Sequence, residues 1–102
     1  MTPELEQRRT EIEALCRRYG VSRLELFGSA ATGRKLPADS DLDFLVEFGS
    51  LPLGGYADAY FGLLESLEEL FKKQVDLVVC SAIRNPYFLQ AIEPTRMLLY
   101  AA

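Results

Sequence analysis

The chain has 102 residues, of which 11 are Lys or Arg and 15 are Asp or Glu, so its formal net charge is −4. This length suits one compact domain, and we expect residues 1–102 to form a single domain with one core. The negative charge does not favour nucleic acid as a partner. Histidine is absent, which excludes Ser-His-Asp triads, histidine-ligated zinc and histidine bases.

The chain shows no signal-peptide pattern and no apolar run long enough to span a bilayer. We therefore expect a cytoplasmic protein without membrane association. Cys16 and Cys80 are far apart and match no metal-binding or redox spacing, so we expect two reduced, packed thiols.

Hydrophobic periodicity predicts alternating helices and strands. A first helix is predicted to begin at Thr2-Pro3-Glu4 and to end at Gly20. The predicted elements that follow are strand 21–27, loop 34–40, strand 41–48, loop 49–55, helix 56–73, strand 74–80, short helix 85–92 and strand 96–100. This order indicates an α/β or α+β fold, with a mixed sheet of about four strands and helices packed on one face.

The second predicted strand opens with Asp41-Leu42-Asp43. Residues two apart in a strand point to the same face, so the two carboxylates should lie side by side. They repel each other unless a cation lies between them, and a hard divalent cation prefers such oxygen ligands. A solvated strand start is the alternative, but Asp is depleted in strands. We therefore predict a magnesium site.

Gly28-Ser29 follows the first predicted strand, where backbone N–H groups commonly bind phosphate. Phosphate donors beside carboxylate-held magnesium suggest phosphoryl or nucleotidyl transfer. The stretch from Gly28 also approaches the P-loop pattern, but Arg34 stands at its lysine position and Lys35 at its hydroxyl position. A P-loop NTPase is therefore disfavoured. Arg34 and Lys35 are either phosphate ligands or solvated loop charges.

The predicted strands place polar residues on the sheet face opposite the helices. This open, acidic face is expected to carry Arg23, Glu25, Asp41, Asp43, Glu47 and Asp76. Glu25 and Glu47 are expected to be solvated or to form salt bridges.

Three motifs in this order, Gly28-Ser29, Asp41-x-Asp43 and Asp76 inside a later strand, resemble the polymerase-β-type nucleotidyltransferase superfamily. The resemblance implies a polymerase-β-like nucleotidyltransferase fold. It also implies that Gly28 and Ser29 hold the terminal phosphates of ATP, and that Asp41 and Asp43 bind two magnesium ions. Asp76 would help to bind the second metal and deprotonate the attacking hydroxyl.

The size of the chain and its ending, Asn85-Pro86-Tyr87 followed later by Leu99-Tyr100, resemble the minimal nucleotidyltransferase (MNT) family. Members are often paired with a small helical partner of the HEPN class and act as the antitoxin of a toxin–antitoxin pair. The resemblance covers Val21 to Tyr100.

Two departures from the family pattern affect the phosphate-binding loop. Thr32 stands where many members carry arginine, and the segment between Ser29 and Asp41 is one residue longer than the commonest form. Arg34 and Lys35 are close enough in sequence to supply the positive charge instead.

The resemblance implies a Mg-dependent nucleotidyltransferase of the EC 2.7.7 type that moves AMP from ATP to a hydroxyl. The expected acceptor is a tyrosine of a partner HEPN toxin, with which the chain forms an oligomer. One alternative is a non-catalytic binding module that neutralises its partner by contact. Another is an enzyme that modifies a small molecule such as an aminoglycoside, although such enzymes usually carry an extra helical domain.

Overall fold

The computed structural model describes residues 7–28, 41–49, 55–79 and 86–102. The elements are helix α1 (Arg9–Arg18), strands β1 (Val21–Phe27) and β2 (Leu42–Phe48), helix α2 (Tyr56–Phe71), strand β3 (Val75–Val79), helix α3 (Pro86–Ile92), a 3-10 turn (Glu93–Thr95) and strand β4 (Met97–Ala101). Their order and bounds confirm the sequence prediction to within two residues at most ends. The predicted helix start at Thr2, loop 34–40, most of loop 49–55 and Cys80 lie outside the described residues.

The strands form one sheet in the order β3-β2-β1-β4. Strand β1 is antiparallel to both β2 and β4, and β2 is parallel to β3. A parallel pair requires a crossover connection, and α2 lies within the connection from β2 to β3. The predicted mixed sheet of four strands is therefore confirmed.

Helices α1 and α2 pack on one face of the sheet and enclose the core. Its fully buried side chains are Phe44, Ile12, Leu24, Leu26, Leu63, Leu67, Val46 and Cys16. The two helices also contact each other, since the hydroxyl groups of Tyr19 and Ser66 lie 3.3 Å apart. No helix in the described ranges is long and apolar enough to cross a membrane.

The opposite face is less open than the sequence predicts. Glu25 and Leu45 are each only 3% exposed, and Phe27 is 7% exposed. The ring of Phe27 contacts Phe88 of α3 edge-on, with 6.1 Å between ring centroids. The expectation of a bare acidic face is therefore wrong at its centre, because α3 and arginine side chains cover part of it.

Glu25 is the buried charge of this face, and two arginines neutralise it. Arg96 donates from Nε to Oε2 at 2.6 Å and from Nη2 to Oε1 at 2.9 Å. Arg23 donates from Nε to Oε1 at 2.7 Å. The hydrogen bonds from Arg96 are the main cause that lowers the pKa of Glu25, and those from Arg23 add to it. This network joins β1 to the start of β4 and confirms the expected salt bridge.

Strand β3 is an edge strand of the described sheet. Side chains of helix α2 form hydrogen bonds with backbone groups of β3 that point away from β2. The Tyr60 hydroxyl donates to the Leu77 carbonyl oxygen at 2.6 Å. The Val75 N–H donates to Oε2 of Glu68 at 3.3 Å. These two contacts flank Asp76 on either side, so α2 fixes the backbone that carries this aspartate.

Gly28 follows the last residue of β1, and its backbone lies in the left-handed region, with φ +78°. A methyl group on its Cα would lie 2.7 Å from Oδ2 of Asp43. Backbone conformation and close approach therefore both require glycine here.

Glu25→Gln should destabilise the protein at pH 7 by about 2–3 kcal/mol, because it leaves two arginines around a neutral amide. The lowered pKa of Glu25 contributes stability above its ordinary value of 4.5, and this contribution is lost as pH falls through the folded-state pKa. Urea unfolding between pH 3 and 7 should show that the free energy of unfolding of wild type exceeds that of Glu25→Gln at pH 7. This difference should become smaller at acid pH. Glu69→Gln, at an exposed position of α2, is the control. A difference in free energy of unfolding that stays constant with pH would contradict the prediction.

Gly28→Ala should destabilise the protein by about 1–2 kcal/mol, because alanine is strained at positive φ and displaces the Asp43 carboxylate. Gly49→Ala is the matched control, since a methyl there meets its nearest neighbour at 3.6 Å. Thermal melts of both variants test this expectation. Equal melting temperatures for the two variants would contradict it.

Candidate functional site

Sheet register brings residues from three strands together at one end of the sheet. Phe27, which precedes Gly28, is the antiparallel partner of Asp43. Asp43 is in turn the parallel partner of Asp76. Neighbouring strands are about 4.8 Å apart and paired residues share a face. Two aspartates that are distant in sequence are therefore adjacent, with the Gly28 turn against one of them.

Asp43 is the electrostatic centre of this group. Burial raises its pKa most, and the negative charges of Asp76 and Asp41 raise it further. Asp41 lies just before β2 and is exposed. The direction of the shift shows that the charged form of Asp43 is disfavoured by its surroundings. Asp43 is thus the member of the group on which repulsion by neighbouring carboxylates acts, first from Asp76 and then from Asp41.

The three carboxylates nevertheless do not close into a tight cluster. Within the part of the chain that the structure describes, no group of three acidic, cysteine or histidine side chains is arranged to hold a metal ion. Asp43 and Asp76 form an adjacent pair, and Asp41 interacts at longer range. The predicted convergence of all three carboxylates is therefore not seen, and the register sets Asp43 and Asp76 side by side on neighbouring strands.

Of the predicted phosphate-binding residues, only Gly28 is described. Ser29, Arg34 and Lys35 lie outside the described residues. The N–H of Gly28 donates to Oγ1 of Thr95 at 3.1 Å. In this structure it is therefore not the free donor that the sequence analysis expected of the Gly-Ser turn.

Thr95 is a site neighbour that the sequence analysis missed. It belongs to the 3-10 turn before β4, and its hydroxyl donates to the carbonyl oxygen of Ile92 at 2.8 Å. No motif marks it, since its contact with Gly28 joins residues 67 positions apart. The only local signal is Pro94, which predicts the end of α3.

A cavity of about 280 Å³ lies on the same face, farther along β2 from Asp43. Its lining residues are Arg23, Glu25, Leu45, Glu47 and Arg96. Both arginines already bind Glu25, so the cavity is not a strongly positive site. The cavity shares the sheet face of Asp43 but is not lined by it.

The donor set of the site fits a hard divalent cation. Two carboxylates lie side by side on adjacent strands, and the raised pKa of Asp43 shows that its charge lacks full compensation. A cation with oxygen preference supplies that compensation. The same carboxylates can accept a proton from a hydroxyl once one of them is ionised.

The profile of the Nucleotidyltransferase domain family matches residues 9–97, which include Gly28, Asp43 and Asp76. The chain is also 40% identical over 76 residues to a provisionally named protein adenylyltransferase of Methanocaldococcus jannaschii, covering 74% of each protein. It is 37% identical over 68 residues to protein adenylyltransferase MntA of Thermococcus cleftensis, covering 67% of this chain and 65% of that protein.

Among solved structures, the fold resembles that of the Shewanella oneidensis complex of a tri-AMPylated HEPN toxin with its MNT antitoxin. The TM-score is 0.65 and the identity 20%, covering 96% of this chain and 73% of that one. At this identity the likeness shows the fold, while the profile and the sequence relatives show the family. The chain belongs to the nucleotidyltransferase domain family and is a nucleotidyltransferase of the MNT type.

Proposed function

We propose that this chain transfers AMP from ATP to a hydroxyl group in a Mg²⁺-dependent reaction. The observation that carries the proposal is the register of β2 and β3, which sets Asp43 beside Asp76. The Gly28 turn lies against Asp43, so a nucleotide phosphate bound at this turn is next to both carboxylates. The relatives named protein adenylyltransferase support AMP as the transferred group.

The three aspartates divide two roles between them in this proposal. Asp41 and Asp43 would hold Mg²⁺, with Asp76 contributing to a second ion. When bound, Mg²⁺ neutralises the phosphates and stabilises the charge that develops in the transition state. Such an ion takes carboxylate oxygen ligands, and its charge would compensate the negative charge of Asp43 that burial and Asp76 disfavour.

The reaction is an in-line displacement at the α-phosphorus of ATP. The acceptor hydroxyl oxygen forms a bond to this phosphorus, and the bond from the phosphorus to the bridging oxygen breaks, releasing pyrophosphate. Asp76, at the exposed edge strand, takes the proton of the acceptor hydroxyl. Gly28, together with Ser29, Arg34 and Lys35, would orient the phosphates.

We further propose that the acceptor is a tyrosine of a small helical HEPN-class toxin, and that modification makes this chain the antitoxin. The fold neighbour in complex with a tri-AMPylated HEPN toxin supports this proposal. Asp76 is exposed, and the face that carries it has room for a partner segment. Such a pair would work in the cytoplasm, where ATP and Mg²⁺ are available.

Asp41→Asn combined with Asp43→Asn should lower the transfer rate by about a thousandfold or more, because the metal ligands are lost. Asp76→Asn should lower the rate similarly with a smaller loss of nucleotide affinity. The measurement is incorporation of label from ATP carrying ³²P at the α-phosphate into a purified HEPN-class protein. Mass spectrometry then locates the modified residue.

Asp58→Asn is the matched control, because Asp58 lies exposed in the first turn of α2. It should transfer AMP at the wild-type rate. A double variant that is as active as wild type would mean that the site is misplaced. Binding of the partner without label transfer would favour the non-catalytic module, and label on an aminoglycoside but not on the protein would favour a small-molecule acceptor.

Asp43→Asn should stabilise the metal-free protein at pH 7, because it removes a carboxylate whose charge is disfavoured. The raised pKa of Asp43 contributes relative stability at acid pH that is lost as pH rises from its ordinary value of 3.8 through the folded-state pKa. The stabilising effect of Asp43→Asn should therefore vanish at acid pH. Thermal melts in EDTA at several pH values measure it.

Mg²⁺ with ATP should raise the melting temperature of wild type by about 10 °C at a hundred times the dissociation constant, a gain of about 2.7 kcal/mol. Asp43→Asn should show little of this gain, because it lacks a metal ligand. Equal shifts in the two proteins would mean that Asp43 does not take part in a metal site.

A further inference from the structure

The turn that ends β1 is held by the 3-10 turn before β4. The Gly28 N–H donates to Oγ1 of Thr95 at 3.1 Å, and the Thr95 hydroxyl donates to the Ile92 carbonyl oxygen at 2.8 Å. A hydroxyl has one proton and two lone pairs. Because its proton is directed at Ile92, its lone pairs remain for the Gly28 N–H. The Thr95 hydroxyl is therefore oriented to accept the hydrogen bond from the Gly28 N–H.

Thr95 is itself anchored through the next residue. Arg96 binds both carboxylate oxygens of Glu25, which is buried, and it also donates from Nη1 to Glu93 at 2.8 Å. Glu25 and Gly28 lie three residues apart on one strand and its end. Two adjacent residues, Thr95 and Arg96, therefore bind two points of β1, and the turn cannot shift without straining both contacts.

On its other side, Gly28 approaches Asp43 closely. Its Cα lies so close to Asp43 that an added methyl group would be 2.7 Å from Oδ2. The contact with Thr95 thus fixes the distance between the Gly28 turn and the Asp43 carboxylate. The nucleotide phosphates would bind beside these two groups.

We propose that Thr95 is a positioning residue for nucleotide binding: its hydroxyl holds Gly28 so that phosphate and metal ligands meet in a preformed arrangement. The proposal rests on the proposed nucleotidyltransferase function. A preformed turn loses less conformational freedom when the nucleotide binds. The nucleotide therefore binds more tightly. The opposite hypothesis is that Thr95 blocks the Gly28 N–H and that phosphate must displace it. The two hypotheses predict opposite signs for the removal of the hydroxyl.

Thr95→Val removes the acceptor at nearly constant volume, and Thr95→Ser keeps the hydroxyl. Thr10→Val, at an exposed position of α1, is the control for the same substitution elsewhere. The first measurement is hydrogen exchange of the Gly28 amide by NMR in nucleotide-free protein. It should be about tenfold faster in Thr95→Val than in wild type, because a hydrogen bond is lost. Thr95→Ser and Thr10→Val should exchange at the wild-type rate.

The second measurement is calorimetric titration with Mg-ATP, together with KM and kcat for AMP transfer, well below the melting temperature of each variant. Thr95→Val should weaken ATP binding and raise KM by about tenfold with a smaller change in kcat. Thr95→Ser should restore wild-type values. Unchanged or tighter ATP binding by Thr95→Val would overturn the proposal, as would unchanged Gly28 exchange.

The outcomes separate this proposal from the function on which it rests. If wild type neither binds Mg-ATP nor transfers AMP, the proposed function is overturned and this inference with it. If wild type is active and Thr95→Val matches it, only the positioning role is overturned. Should Thr95→Val fail to fold, Thr95→Ala removes the same hydroxyl without introducing a branched apolar group, and the same two readouts decide.

Discussion

The buried ion pair between Glu25 and two arginines is the interaction on which the site face of the sheet depends. A carboxylate at 3% exposure is tolerated only when it is paired and fully hydrogen-bonded. Arg23 reaches it along its own strand, whereas Arg96 reaches it from the residue before β4. The pairing therefore fixes β4 against β1 and, through Thr95, fixes the turn at Gly28.

Glu25 and Asp43 show how one sheet face can hold two carboxylates in opposite electrostatic states. Hydrogen bonds from Arg96 lower the pKa of Glu25, while burial and the charge of Asp76 raise that of Asp43. The first carboxylate is satisfied within the protein and stabilises the fold. The second lacks a protein partner charge among the causes of its shift, which is typical of a group that serves a ligand. Stabilisation of the fold and the proposed chemistry thus involve different charges on two neighbouring strands.

Much of the fold followed from hydrophobic periodicity, since alternation marks strands and 3.6-residue spacing marks helices. The alternation of β2 was enough to place Asp43 and Phe44 on opposite faces of the sheet. The third strand was found around Asp76. The second arginine that binds Glu25 could not be found in this way. Arg96 lies 71 residues away, so the pairing depends on the tertiary register of β4. Thr95 was missed for the same reason, because its contact with the β1 turn leaves no local pattern.

The two contacts that α2 makes with β3 also determine how another protein can approach this side of the molecule. An edge strand with free N–H and C=O groups is a template for sheet extension by a foreign strand. Here the Tyr60 hydroxyl and the Glu68 carboxylate already occupy backbone groups on both sides of Asp76. Intermolecular strand addition at this edge would have to break both bonds. For the acceptor proposed above, these two contacts favour recognition of side chains and shape over backbone pairing at β3.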